Sequence, residues 1–64
     1  MIRKIRLENN ETQEQLATIL GVHRVTINKW EHGKMDMSVS MLIKLCYHYH
    51  ISADVILCIP FEYR

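Results

Sequence analysis

Residues 21 to 34 carry a local excess of positive charge, although the whole chain has a formal net charge of only +1. Arg24, Lys29 and Lys34 are opposed in this segment only by Glu31. Arginine can donate two parallel hydrogen bonds to guanine, and lysine can donate to a base or to a phosphate. The chemistry available here is therefore hydrogen bonding to nucleic acid. The same residue types on a short helix also form ordinary solvated faces, and residue type alone does not separate these two interpretations.

Other kinds of chemistry have weaker support in the sequence. No Ser/His/Asp set, glycine-rich phosphate loop or carboxylate pair is present, so no enzyme activity is predicted. His48 and His50 are two residues apart and diverge by roughly 200° on a helix, which does not suit a helical zinc site. Cys46 and Cys58 do not form a Cys-x-x-Cys pair and are predicted to be buried reduced thiols. We expect no metal and no cofactor.

The length of the chain limits what these residues can belong to. Sixty-four residues suffice for one domain, predicted over 1–64, and leave little room for a substrate pocket or an internal ligand-sensing domain. The longest apolar run, Val55 to Ile59, is far shorter than the ~20 residues of a membrane span. No signal peptide is recognisable at the start. We expect a cytoplasmic protein with no membrane association and no small-molecule effector domain.

Helix boundary signals place the basic segment between two turns. Ile2 and Ile5 predict a first helix, closed by Asn9-Asn10. Thr12 followed by Gln15 is a capping-box pattern that starts a second helix, and Gly21 is suited to end it. The predicted apolar face of this second helix contains Leu16, Ala17, Ile19 and Leu20.

Three further helices follow. Ile27 and Trp30 give residues 23–32 a helical period that stops at Gly33. Ser38 predicts the start of a fourth helix, and Ser52 predicts a fifth that must end near Pro60. The segment 61–63 alternates as a short strand would. The buried face of the fourth helix is predicted to contain Leu42, Leu45, Cys46 and Tyr49.

The stretch TQEQLATILGVHRVTINKWEHGK, from Thr12 to Lys34, closely resembles the helix-turn-helix family of the Cro protein and phage repressors, also called the xenobiotic-response-element family. The likeness extends weakly from Ile2 to about Ile59. It implies an all-α, lambda-repressor-like DNA-binding domain of five short helices, with the motif at about 12–32 and the third helix in the major groove. It also implies that Arg6 pairs with Glu31, and independent packing arguments assign Ala17 and Trp30 to the core.

The resemblance implies roles for individual residues as well. Gln13, at the start of the second helix beside Thr12, is expected to bind a DNA phosphate and to support the third helix. Lys34 and the amide of His32 are expected to contact the DNA backbone at the far end of the third helix, although Lys34 could equally be a solvated loop charge. The expected base-reading residues are His23, Arg24, Val25, Asn28 and Lys29.

Several positions depart from the family pattern. His23 stands where Ser or Thr often caps the third helix, and Val25 replaces a common polar reader. Met35-Asp36-Met37 replaces the usual basic, proline-containing loop, and Asp36 is expected to weaken phosphate contacts there.

The C-terminal residues 52–64 present more apolar surface than one short helix can bury. We therefore predict a homodimer that binds a two-fold operator on double-stranded DNA and represses transcription. An alternative is an antitoxin, or another protein-interaction partner, whose DNA binding is only autoregulatory. The predicted dimer interface consists of Val55, Ile56, Ile59, Phe61 and Tyr63.

Overall fold

The computed structural model describes residues 2–57, which form helices joined by turns and contain no strand. This confirms the all-α class. No helix among these residues is both long and apolar enough to cross a membrane. The predicted strand at 61–63, the helix end near Pro60 and the thiol of Cys58 lie outside the described residues. The helices are α1 Ile2–Glu8, α2 Gln13–Leu20, α3 Arg24–Glu31, α4 Val39–Tyr49 and α5 Ala53–Leu57.

The predicted signals at the ends of α1 and α2 are confirmed. The backbone N–H of Gln15 donates to the Thr12 hydroxyl at 3.0 Å, and the Gln15 side chain accepts from the Thr12 amide at 2.8 Å, which completes the capping box. Gly21 ends α2 with a left-handed φ of 71°, and Asn10 after α1 has a φ of 56°. These turns bring α2 and α3 together.

The core lies where α2, α3 and α4 meet. Leu16, Ile27 and Leu45 are fully buried, one from each of these helices. Ala17 is 2% exposed where α2 packs against α3, as its small size predicts. Trp30 is partly buried against this core, which confirms its packing role. Of the predicted buried face of α4, only Leu45 is fully buried, while Leu42, Cys46 and Tyr49 are partly buried against the core.

Two sequence-based assignments are wrong. Ile19 is 52% exposed, because at 100° per residue it lies about 60° outside the arc that Leu16, Leu20 and Ala17 share. Ile56 is only 7% exposed, so it belongs to the core of the single chain and is not available to a dimer interface. Val55 is 41% exposed. The other predicted interface residues, Ile59, Phe61 and Tyr63, lie outside the described residues.

Candidate nucleic-acid interface

The exposed face of α3 carries the hydrogen-bonding residues that the sequence predicted. Arg24, Val25, Asn28 and Lys29 are all exposed and lie within an arc of roughly 140° around the helix. Ile27, on the opposite side, is fully buried. The fold thus gathers one guanidinium, one amide, one ammonium and one apolar side chain on a single outward surface.

His23 is the N-cap of α3 and is also exposed. Its backbone is extended, with φ −77° and ψ 149°, but its side chain makes no capping hydrogen bond. The first amides of α3 therefore lack a side-chain acceptor from the cap residue. His23 thus lies at the end where α3 begins.

A buried ion pair fixes α3 to the rest of the fold. Arg6 Nε donates to Glu31 Oε2 at 2.7 Å, and Arg6 Nη2 donates to Oε1 at 3.3 Å. The side chains are only 8% and 1% exposed. This confirms the pairing that the family resemblance implied. Arg6 Nη1 also donates to the Glu11 carbonyl at 2.7 Å, so α1, the following turn and α3 are tied at one point.

The protonation behaviour of this pair follows from its surroundings. Burial alone would raise the pKa of Glu31, but the hydrogen bonds from Arg6 and Gln13 and the charge of Arg6 outweigh it and hold this pKa below its ordinary value. The hydrogen bond to Glu31 raises the pKa of Arg6, against the effect of burial. Both groups are therefore charged at neutral pH.

Gln13 joins the same cluster, a contact that helical periodicity could not reveal. Its Nε2 donates to Glu31 Oε1 at 2.9 Å. An amide nitrogen has two protons, so one remains for an acceptor outside the protein. Gln13 lies in the first turn of α2, and Thr12 is exposed at its N-cap. The N-terminal end of α2 can thus offer hydrogen bonds to an anion while Gln13 also supports α3.

The far end of α3 differs from expectation in one respect. The His32 amide donates to the Asn28 carbonyl at 3.1 Å, so it cannot serve as the predicted DNA backbone contact. The His32 Nδ1 atom is also 2.8 Å from that carbonyl. Lys34 is exposed after Gly33, whose φ is 67°. Asp36, two residues further along the chain, is exposed as well.

Glu14 is an acidic neighbour of the exposed α3 face. Its Oε2 lies 3.9 Å from Arg24 Nε, and the two side chains are 75% and 58% exposed. An exposed pair at this separation is weak and screened by salt. The cluster of glutamates before the basic segment was the available sequence signal, but the turn between α2 and α3 determines which of them meets Arg24.

A second polar cluster lies between α4 and the α1–α2 turn. His48 Nε2 and the Tyr49 hydroxyl both contact the carboxylate of Glu11, each at 2.5 Å. Burial and the hydrogen bond to Glu11 raise the pKa of Tyr49. Within residues 2–57, no group of three His, Cys, Asp or Glu side chains could hold a metal ion. We interpret this cluster as a packing contact.

The comparison with protein families agrees with this geometry. The helix-turn-helix family model matches residues 2–56, which is nearly the whole described part of the chain. No curated protein sequence matches closely enough to count as a relative. The matched family consists of DNA-binding regulators and is not an enzyme family. The chain therefore belongs to the Cro/C1-type helix-turn-helix family of DNA-binding transcriptional regulators.

Proposed function

We propose that the chain binds a specific duplex DNA operator as a homodimer and represses transcription, with α3 lying in the major groove. The observation that carries this proposal is the exposed α3 face, which groups Arg24, Val25, Asn28 and Lys29 opposite the buried Ile27. A recognition helix needs such a surface, because its side chains must reach base edges without disturbing the core. The whole chain of 1–64 acts as one domain in this proposal.

The proposed base contacts follow from side-chain chemistry. Arg24 donates two hydrogen bonds to guanine, and Asn28 pairs with adenine. Val25 packs against a thymine methyl group. Lys29 donates to guanine or to a phosphate. His23 completes this set at the start of the helix.

The proposed phosphate contacts come from both ends of the motif. Thr12 and Gln13 hold one phosphate at the start of α2, where the helix dipole adds to their hydrogen bonds. Lys34 holds another beyond the end of α3. His32 takes part only through its imidazole, since its amide is occupied.

A two-fold dimer accounts for the affinity that one short reading helix lacks. Two copies read two half-sites about one helical turn, roughly 34 Å, apart. Val55 is the one residue of the predicted C-terminal interface that is exposed within residues 2–57. Repression then needs no additional domain, because a bound dimer can block polymerase sterically.

The decisive experiment is selection of bound sequences from a random duplex library with the full chain. We expect a two-fold symmetric consensus with half-sites about one turn apart. Arg24→Ala should remove the preference at one position of each half-site, whereas Gln13→Ala should weaken all sequences alike. An Arg24→Ala protein that selects an unchanged consensus would contradict the assignment of Arg24.

Light scattering on the purified chain tests the oligomeric state. A homodimer supports the proposal, whereas a monomer that co-purifies with a second protein would favour the antitoxin hypothesis. Repression itself is tested by a reporter gene placed behind the selected operator. Expression that rises when the protein is present would contradict a repressor.

A further inference from the structure

His32 extends the exposed face of α3 by one turn. It is the C-cap of this helix and is exposed. At about 100° per residue, its position falls inside the arc that runs from Arg24 to Lys29 and lies close to that of Asn28. A recognition helix meets the base edges with its N-terminal residues. The imidazole therefore lies on the proposed DNA-facing surface, at the end of α3 that is further from the bases.

A hydrogen bond to the backbone determines which ring nitrogen carries the proton. His32 Nδ1 lies 2.8 Å from the Asn28 carbonyl oxygen, which can only accept a hydrogen bond. Nδ1 is therefore the donor, and Nε2 of the neutral ring has no proton. The neutral imidazole presents a lone pair at Nε2, whereas the imidazolium presents a second N–H there.

We propose that His32 makes DNA binding proton-dependent, because its ring binds a DNA phosphate only as the imidazolium, through the N–H at Nε2. This inference rests on the DNA-binding function proposed above and adds a regulation by pH to the same site. A phosphate oxygen is an acceptor, so a neutral ring would meet it with one lone pair facing another. Each copy that binds while its ring is neutral must first take up one proton from the solvent.

The charged groups around this end of α3 leave the second proton to the phosphate. α3 packs on α1 and α2. The Glu31 carboxylate, next in the chain, is held by Arg6 of α1 and Gln13 of α2. Glu14 of α2 lies beside Arg24, at the opposite end of α3. The other charged residues near this end, by contact with Glu31 or by position in the chain, are Arg3, Lys29, Lys34 and Asp36. Among the described residues, no anion forms an ion pair with the ring.

The direction of the pH effect follows from the proton uptake. Acid supplies the proton that the contact requires, so affinity for DNA rises as the pH falls. Histidine side chains ordinarily titrate between about pH 5 and 8. Glu31 keeps its charge in that range because its pKa is held below its ordinary value, so the ion pair that holds α3 stays intact. The other histidines are His23 at the start of α3, His48 beside Glu11, and His50 at the end of α4.

Binding titrations of the full chain at about pH 6 and about pH 8, with the duplex selected from the random library, test the proposal. We expect wild type to bind about three- to tenfold more tightly at the lower pH. The slope of log K against log salt concentration should also be steeper there by about 0.9 for each copy, because one more cation neutralises a phosphate.

Three variants separate a phosphate contact from a structural effect. His32→Gln cannot take up a proton and should lose the pH dependence of both affinity and slope. His32→Lys carries a fixed charge and should keep the steeper slope at both pH values. His50→Gln removes an exposed histidine at the C-cap of α4, outside the proposed interface, and should behave as wild type does. Circular dichroism at both pH values checks that each variant is folded.

The remaining outcomes separate this inference from the proposed function. If His32→Gln keeps the pH dependence and His23→Gln loses it, the proton is taken up at the other end of α3 and the inference is wrong. Affinity that rises with pH would mean that the neutral ring accepts from a base amino group, which also overturns the phosphate contact. A wild type with constant affinity over this range refutes the proton uptake while DNA binding stands. If no duplex is bound at either pH, the proposed function fails as well.

Discussion

The side chains that hold the reading helix are buried charges rather than apolar groups. Arg6 and Glu31 are nearly inaccessible to solvent, and each must be compensated inside the protein. Arg6 donates hydrogen bonds to Glu31 and to the Glu11 carbonyl, and Glu31 also accepts one from Gln13. The orientation of α3 therefore depends on one ion pair. Loss of either partner leaves the other as an uncompensated buried charge.

Replacement of Arg6 tests this dependence. Arg6→Met keeps a long apolar stem but leaves the Glu31 carboxylate without its cation, so we expect a loss of about 3–5 kcal/mol in the free energy of unfolding. Lys4→Met is the control, because Lys4 is exposed on the same helix and its loss should change stability by about 0.5 kcal/mol or less. Urea denaturation measures both. Equal midpoints for the two variants would mean that the pair contributes little.

The lowered pKa of Glu31 predicts acid sensitivity. A carboxyl whose pKa is lower in the folded than in the unfolded chain stabilises the fold above its unfolded pKa, and that stability is lost as the pH falls through the folded value. We therefore expect the urea midpoint of wild type to fall progressively below about pH 5. Glu31→Gln cannot titrate and should show a shallower fall over the same range, from a lower starting value. Parallel pH profiles would show that other groups dominate the acid response.

Glu14 should oppose DNA binding through its position beside Arg24. Glu14→Gln removes a negative charge from the proposed interface and releases Arg24, so we expect affinity for operator and random DNA to rise about two- to fivefold at low salt. The rise should shrink at high salt because the charges are screened. Glu8→Gln, an exposed carboxylate on α1, serves as the control in mobility-shift titrations. A rise of equal size in both variants would reflect net charge alone.

At the scale of the helices, local signals in the sequence predict several of the helix ends. The capping box at Thr12 and the left-handed residues Asn10 and Gly21 act within one turn of chain, so their effect can be read without knowing the fold. Ser38 likewise caps α4 by accepting from the Met41 amide at 3.2 Å. Both ends of α2 and the start of α4 follow directly from these residues.

Contacts between helices were predicted less well. The bonds of Glu11 to His48 and Tyr49 join residues 37 and 38 positions apart, and no local pattern connects them. The family resemblance implied that Gln13 supports α3, but its partner Glu31 is set by how α2 and α3 cross. The exposed α3 face could be predicted from the helical period of Ile27 and Trp30 together with the family resemblance. The contact of Glu14 with Arg24 could not be predicted in this way, because it depends on the geometry of the turn between α2 and α3.

The N-terminus of α3 offers a stabilising substitution. His23 makes no capping bond there, whereas serine at an N-cap accepts a hydrogen bond from an early amide. We expect His23→Ser to raise the free energy of unfolding by about 0.5–1 kcal/mol. Ser38→Ala at the N-cap of α4 is the reference, since it should lose a similar amount. Urea denaturation midpoints measure both variants. A His23→Ser protein no more stable than wild type would show that the missing capping bond does not lower the stability of the fold.

At the scale of the whole molecule, charge is local while the total is nearly neutral. The net charge of +1 arises from eight basic and seven acidic residues, so attraction to DNA over long distances is weak. The cations that can approach DNA are those on and just after α3. In the proposed homodimer, specific contacts and their doubling over two copies supply the affinity.

The salt dependence of operator binding measures this directly. Each neutralised phosphate contributes about −0.9 to the slope of log K against log salt concentration, so two or three cations per copy predict a slope of about −3.6 to −5.4 for a dimer. Lys34→Ala should make the slope shallower by about two, one for each copy. Lys44→Ala removes the same charge from an exposed position on α4 and should leave the slope unchanged. Because both variants have the same net charge, a difference between them can come only from where the charge lies, and equal slopes would remove Lys34 from the set of phosphate contacts.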